Sequence, residues 1–470
     1  MAYPSPALLD KLAMLLGPKG YTRDSAEIAP WATDWRGRYR GAAAALLSPA
    51  SATEAAELVR LCAAQGAALV PQGGNTSMVG GATPDASGEA LIVSLRRMNR
   101  IRALDAGAGV AVCEAGVILA TLHEAALAQG MRFPLTLGAK GSATIGGLVS
   151  TNAGGTQVLR FGTMRQLVLG LEAVLPDGSL FEGLAPLKKD NRGYDLKQLL
   201  IGAEGTLGLV TAASLKLVDD PGERGVAWVG LASPADAGLL LRRLQAALGD
   251  AIEGFELVPK SALDLVQEHI PGARAPLAGS APWNALVEAA GPPDALRAAL
   301  AEALEAGLVA DATIAASEAQ AQALWRLRDS ISEAEKKDGP AAKHDISVPV
   351  EAMPDFMTEA AAVVETRFPG VRVNAFGHLG DGNVHFNVRA PDEADEAWLE
   401  GEGRAVSAFV HDLVTAAGGS ISAEHGIGQM KRDELARLGD PARLAAMRAI
   451  KSALDPRGIM NPGKLVPPLA

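Results

Sequence analysis

Residues 134–155 read PLTLGAKGSATIGGLVSTNAGG, and a shorter run at 71–77 reads PQGGNTS. Glycine, alanine, serine and threonine dominate both, so neither can fill an ordinary core. Glycine admits another group close to the backbone. Successive amides in such turns point together into a concavity that holds anions, and the hydroxyls add donors. This surface suits a pyrophosphate; the bland alternative for either run alone is a pair of surface turns.

The flanking sequence alternates strands and helices. Residues 67–70, AALV, read as a strand that runs into the 71–77 loop. SATEAAELVRLCAAQG at 51–66 predicts a helix, with Ser51 or Thr53 as its cap and Gly66 as its stop. VLGLEAVLPDGSLFE at 168–182 predicts a hairpin turning at Asp177-Gly178. A second composition begins near Asp220, and residues 395–419 predict one long helix closed by Gly418-Gly419. The expected architecture is α+β with three parts: 1–220, 221–425 and a helical segment over 426–470.

Composition narrows the function. The formal net charge of −11 argues against nucleic acid, whose phosphates need a basic face. Cys62 and Cys113 are the only cysteines, so a disulfide framework and an internal iron–sulfur relay are both excluded. Both lie in apolar runs and are expected in the core. No apolar run has the length a membrane-spanning helix needs, and a cytoplasmic location is the expectation. No GxGxxG follows a strand, and no GxxxxGK[ST] or GxSxG occurs, so nicotinamide, P-loop and hydrolase readings lack support.

The strongest local chemistry is HLGDGNVH at 378–385, which holds two of the chain's seven histidines. Glu424 and His425 follow in SAEHGIG. His378, His385 and Glu424 form a two-histidine, one-carboxylate set of the kind that holds a divalent metal. VHFNV is a strand, so His385 and Asn387 point to the same side. An anionic substrate needs fixed positive charge, and Arg328 in LWRLRDSIS is the leading clamp. Ser332, four residues on, shares its face if the helix continues.

These motifs together resemble the FAD-linked D-2-hydroxy-acid dehydrogenases, the D-lactate and D-2-hydroxyglutarate dehydrogenase group, whose cofactor domain is of the vanillyl-alcohol oxidase type. The resemblance runs from about 40 to 466. It rests on PQGGNTS, the 134–155 run, NRGYDLKQLLIGAEGTLGLVT, KHDISVP, HLGDGNVHFNV, AEHGIG and NPGKL.

The resemblance implies a two-lobed FAD domain with a cap domain. It implies cofactor contacts at Pro71, Gln72, Gly73, Gly74, Asn75, Thr76 and Ser77. Pro134, Thr136, Leu137, Gly138, Gly141, Ser142, Thr144, Ile145, Gly146 and Gly147 belong to the same set. So do Asn152, Gly154 and Gly155, then Glu204, Gly205, Gly208, Leu209 and Asn461. Members with covalent FAD often carry a histidine in the first loop; Asn75 stands there instead, so non-covalent FAD is expected. The metal would be Zn²⁺ or Mn²⁺ on His378, His385 and Glu424. His425 resembles the family's general base. Arg328, Ser332 and Lys343, with Asn387, would hold a dicarboxylic 2-hydroxy acid.

Ser332 stands where threonine is more usual, and Ala342 and His344 replace tyrosines that often flank the lysine. D-malate, D-lactate or glycolate are therefore the competing substrates. The expected acceptors are electron-transfer flavoprotein, a quinone or a cytochrome, and the expected assembly is a homodimer. An O₂-using oxidase of the same fold and a non-catalytic flavoprotein or metal-storage subunit are the rival readings. The joint presence of base, clamp and metal set argues against the last.

Overall fold

The helix expected over 51–66 spans Ala52–Gln65; the Ser51 side chain accepts from the Glu54 amide, and Gly66 ends the helix at φ 69°. It belongs to a computed structural model that describes residues 3–468. Contacts divide the chain into two units. One contains residues 1–155, 162–220 and 424–470; the other contains 156–161 and 221–423.

The first unit has two main sheets. One carries the strands Tyr21–Thr22, Ala45–Leu47, Leu91–Ser94 and Leu69–Gln72 in that order, and its last three are parallel. The other is antiparallel and includes the hairpin of Val168–Val174 with Leu180–Gly183, where Val174 faces Leu180. Leu58, Cys62 and Leu91 are fully buried in its main core, joined from the far end of the chain by Ile459 and Met460. The Leu69 amide donates to Ile459 and the Asn461 amide to Leu69, each at 2.8 Å. The C-terminal stretch thus returns to this unit.

The second unit is built on a seven-stranded antiparallel sheet. Its centre runs through Trp283–Ala290, Ile252–Pro259, Arg372–His378 and Asn383–Arg389, ending at the edge strand Ala341–Ser347. Side chains alternate between faces with period two. Val384, Phe386 and Val388 enter the larger core on one face. Phe376 and Trp228 enter the core on the other.

Two expectations change in the structure. Residues 395–419 are not one helix: a 3₁₀ turn at Glu396–Glu400 stops at Gly401, and the helix proper is Glu402–Ala416. The second unit ends at residue 423, so Glu424 and His425 pack with the first, while 156–161 joins the second. Arg160 pairs with the buried Glu253, which ties that short segment to the strand Ile252–Pro259.

Candidate active site

In the first unit, the glycine-rich runs fold against each other around a cavity of about 680 Å³, within the usual size range for small-molecule sites. Pro71, Gln72, Gly73, Gly74 and Asn75 line it from one side, and Gly141, Ser142, Thr144, Gly146 and Gly147 from the other, with Leu209 beyond. A Cβ on Gly74 would fall on the Ser142 carbonyl oxygen, so only glycine lets the two loops meet. Gln72 Nε2 donates to Trp31 and Ala82 carbonyls at 2.8 Å each. Its Oε1 is buried with no partner. A glycine cradle that a Cβ would fill fits a dinucleotide.

Other residues expected at the cofactor do not line this cavity: Thr76, Ser77, Pro134, Thr136, Leu137, Gly138, Ile145, Gly205 and Gly208. Ile145 is fully buried. Asn152 ends a helix at φ 50° and accepts from Thr163 Oγ1 and the Arg165 amide. Gly155 takes φ +125° against the Thr136 carbonyl. Its amide donates to Glu424 Oε1 at 3.0 Å, and Gly154 has the same carboxylate for a neighbour. Glu204, at φ 51°, turns its carboxylate to the Ile427 and Gly428 amides at 2.7 and 2.8 Å. Asn461 donates to the Glu204 and Gly81 carbonyls. Glu204 and Asn461 therefore brace the loop that carries Glu424 and His425. Burial pushes the Glu204 carboxyl up, against the pull of those two amides and Lys431.

In the second unit, period two gathers the polar side chains. Glu256 faces His378 across its strand pair. Lys343 faces Asn387, Asp345 faces His385, and Asn374 faces Asn387. His378 and His385 meet edge to face, 5.7 Å between ring centres. His344 falls on the opposite face. Its ring nitrogens meet the Phe386 carbonyl at 2.7 Å and Ser407 Oγ at 3.0 Å, so it is a strut between sheet and helix.

Two buried glutamates organise the polar face, and both escaped the sequence reading. Arg328 Nε donates to Glu256 Oε2 at 2.8 Å, and His378 Nε2 lies 3.5 Å from Glu256 Oε1. Burial alone would raise the Glu256 carboxyl. The Arg328 and His378 charges and the Arg328 hydrogen bond outweigh it and hold the group below the usual carboxylate value. Glu335 accepts from Lys343 Nζ at 3.0 Å, from Asn374 Nδ2 at 2.8 Å and, at its two oxygens, from Asn387 Nδ2 at 3.0 and 2.8 Å. A charge inside the apolar strand IEGFELVP was a signal for Glu256; Glu335 sits in ISEAEKKD, which reads as a solvent-facing helix.

Ser332 does not share a face with Arg328. The helix Glu318–Asp329 stops at Ser330 and a second begins at Ile331, which leaves Ser332 exposed. Its carbonyl, not its hydroxyl, lies 3.5 Å from Lys343 Nζ. The expected metal set is divided as well: His378 and His385 belong to the second unit and Glu424 to the first. Among the described residues, no group of three or more His, Cys, Asp or Glu stands where it could hold a metal ion. No step below runs through a metal.

Residues 43–183 match a family model described as FAD binding domain. Residues 220–465 match the C-terminal domain of FAD linked oxidases. The chain belongs to the FAD-linked oxidase family. It is 40% identical over 466 residues to the mitochondrial D-2-hydroxyglutarate dehydrogenase of Bos taurus, covering 97% of this chain and 84% of that one. It is 39% identical to the D-2-hydroxyglutarate dehydrogenase of Xanthomonas citri pv. viticola, covering 94% and 93%. Among solved structures, p-cresol methylhydroxylase superposes with a TM-score of 0.75 at 15% identity, over 98% of this chain and 96% of that one. The 4-ethylphenol oxidase of Gulosibacter chungangensis gives 0.73 at 19%, over 99% of each. At those identities the likeness concerns the fold alone. The family binds FAD, as the cradle residues suggest.

Proposed function

We propose that this protein oxidises D-2-hydroxyglutarate to 2-oxoglutarate. FAD, when bound, supplies the hydride acceptor. The observation that carries the substrate choice is the pair of oriented cations in the second unit. Arg328 and Lys343 are each held by a buried carboxylate, Glu256 and Glu335. Two cations match the two carboxylates of a dicarboxylic acid; D-lactate or glycolate would leave one unmatched. The names of the relatives support the same substrate.

The hydroxyl proton needs an acceptor as the C2 hydride leaves, and a neutral imidazole suits that transfer near pH 7. His425 is the proposed base. Its loop is braced by Glu204 through the Ile427 and Gly428 amides, so the imidazole is offered from fixed backbone. Asn387, whose amide nitrogen is held by both oxygens of Glu335, is the proposed neutral contact to the substrate.

A dye-reduction assay across D-2-hydroxyglutarate, D-malate, D-lactate and glycolate tests the assignment. The highest kcat/KM is expected for D-2-hydroxyglutarate; an equal or higher value for D-lactate rejects it. Zn²⁺ or Mn²⁺ is a finer part of the proposal, supported by the His378–His385 pair. Elemental analysis of purified protein is its test: about one equivalent retained, and lost in His385→Ala, is the expected result. Electron-transfer flavoprotein, a quinone or a cytochrome is the proposed acceptor, tested against reoxidation by O₂. The proposed homodimer is tested by light scattering.

A further inference from the structure

The cavity in the first unit is lined by glycines, small hydroxyls, amides and aliphatic side chains, with two exceptions. Arg96 is the charged side chain among its lining residues and Trp31 the aromatic one. The two are stacked, with the guanidinium carbon 4.9 Å from the indole centre, a geometry in which the ring face attracts the cation. Neither belongs to the glycine-rich motifs. Trp31 lies outside the 43–183 span that matches the FAD-binding model.

The position of Trp31 is set by the cradle itself. Gln72 donates to its carbonyl at 2.8 Å. Asn75 donates to the carbonyls on either side, Thr33 at 2.8 Å and Pro30 at 3.3 Å. One face of the segment rests on a small core of Ile28, Ala32, Leu46 and Ile92. A loop that lines the cavity therefore also fixes the ring on which the arginine lies.

FAD brings two negative charges on its pyrophosphate. Backbone amides offer partial charges; a guanidinium adds a full one and is the side chain best suited to a phosphate. Resting on the FAD assignment, we propose that Arg96 is the counter-charge for the FAD pyrophosphate, and that Trp31, held by Gln72 and Asn75, is its positioning residue. The cradle then has two layers: amides that shape the site and one stacked cation that sets its charge.

The test is FAD affinity of the apoprotein, read by flavin fluorescence at low and high NaCl. Arg96→Ala is expected to weaken FAD by about 10- to 100-fold and to flatten the salt dependence, with partial recovery in Arg96→Lys. Trp31→Ala should weaken FAD less, and Trp31→Phe should restore it. Riboflavin, which lacks phosphate, should bind the wild type and Arg96→Ala alike. Arg100→Ala removes an arginine of the same unit that pairs with Glu114 and does not line the cavity. An equal loss in Arg100→Ala, or wild-type affinity and salt dependence in Arg96→Ala, overturns the proposal. Wild-type protein that takes up no FAD overturns the cofactor assignment itself.

Discussion

The two units approach anions by opposite means. The first presents backbone: glycine loops at 71–77 and 141–147 close around a cavity with one charged side chain in its lining. The second presents side chains from strands and from the helices packed on them, where both cations discussed are already paired. Arg328 lies on Glu256 and Lys343 on Glu335. A backbone cradle costs little to leave empty, because amides are weakly charged. A largely buried cation left alone is expensive, so each is kept in place by a carboxylate, with which the proposed substrate would share it. Under the proposed function, shape is the specificity device of the first unit and charge that of the second.

Separating chemistry from binding puts the largest expected effect at His425. His425→Ala should lower kcat by about 10²- to 10⁴-fold while FAD absorbance stays at the wild-type level. Loss of flavin together with activity would instead make the loop part of the cradle. Next comes Lys343→Ala, which should cost about 10- to 150-fold in kcat/KM for D-2-hydroxyglutarate, the range for losing a charged hydrogen bond. D-lactate should be nearly unaffected. A matching loss on both substrates would make Lys343 a structural partner of Glu335 and remove charge as the second unit's device.

The shape half is tested at Gly74. Gly74→Ala drives a methyl into the Ser142 carbonyl, an overpacking of about 1–3 kcal/mol. FAD affinity should fall around tenfold, with substrate KM unchanged once the flavin is saturated. Unaltered FAD affinity would mean the two loops separate freely and do not define the cavity.

The same contrast explains what could be read from the sequence. The cradle is made of contiguous runs, and Gly73, Gly74, Gly146 and Gly147 stood out because glycine in such density has few other uses. Trp31 and Arg96 did not, since each is isolated in sequence and joins the cavity only through the fold. On the strand face, His378 and His385 were conspicuous as rare residues. Glu256 and Glu335 were not, because a glutamate shows its partner only once strand pairing and helix docking are known. Ser332 failed for a local reason: the spacing of four assumes an unbroken helix, and the helix breaks at Ser330. Asn152, Glu204 and Asn461 share a motif with cofactor-lining residues, and each has a polar side-chain atom bound to backbone.

The smallest expected effect separates the units by pH. Both cysteines lie in the first unit, and burial pushes each thiol from 9.0 up to about 12. A group whose folded pKa is raised contributes stability in full below the unfolded value, and that contribution is lost as pH rises through the folded value. Between pH 9 and 12 the unfolded chain can ionise Cys62 and Cys113 while the folded unit keeps them protonated. At pH 9.5 this costs about 0.8 kcal/mol per thiol, which for a unit of this size lowers Tm by a few degrees. The measurement is the Tm difference between pH 7.5 and 9.5 in wild type and in Cys62→Ala/Cys113→Ala. The cavity left by the substitutions cancels in that difference. The double variant should lose less on going alkaline. An identical loss in both proteins would mean the thiols ionise near 9 in the folded chain, and that the interior beside the Ala52–Gln65 helix is wetter than its fully buried residues indicate.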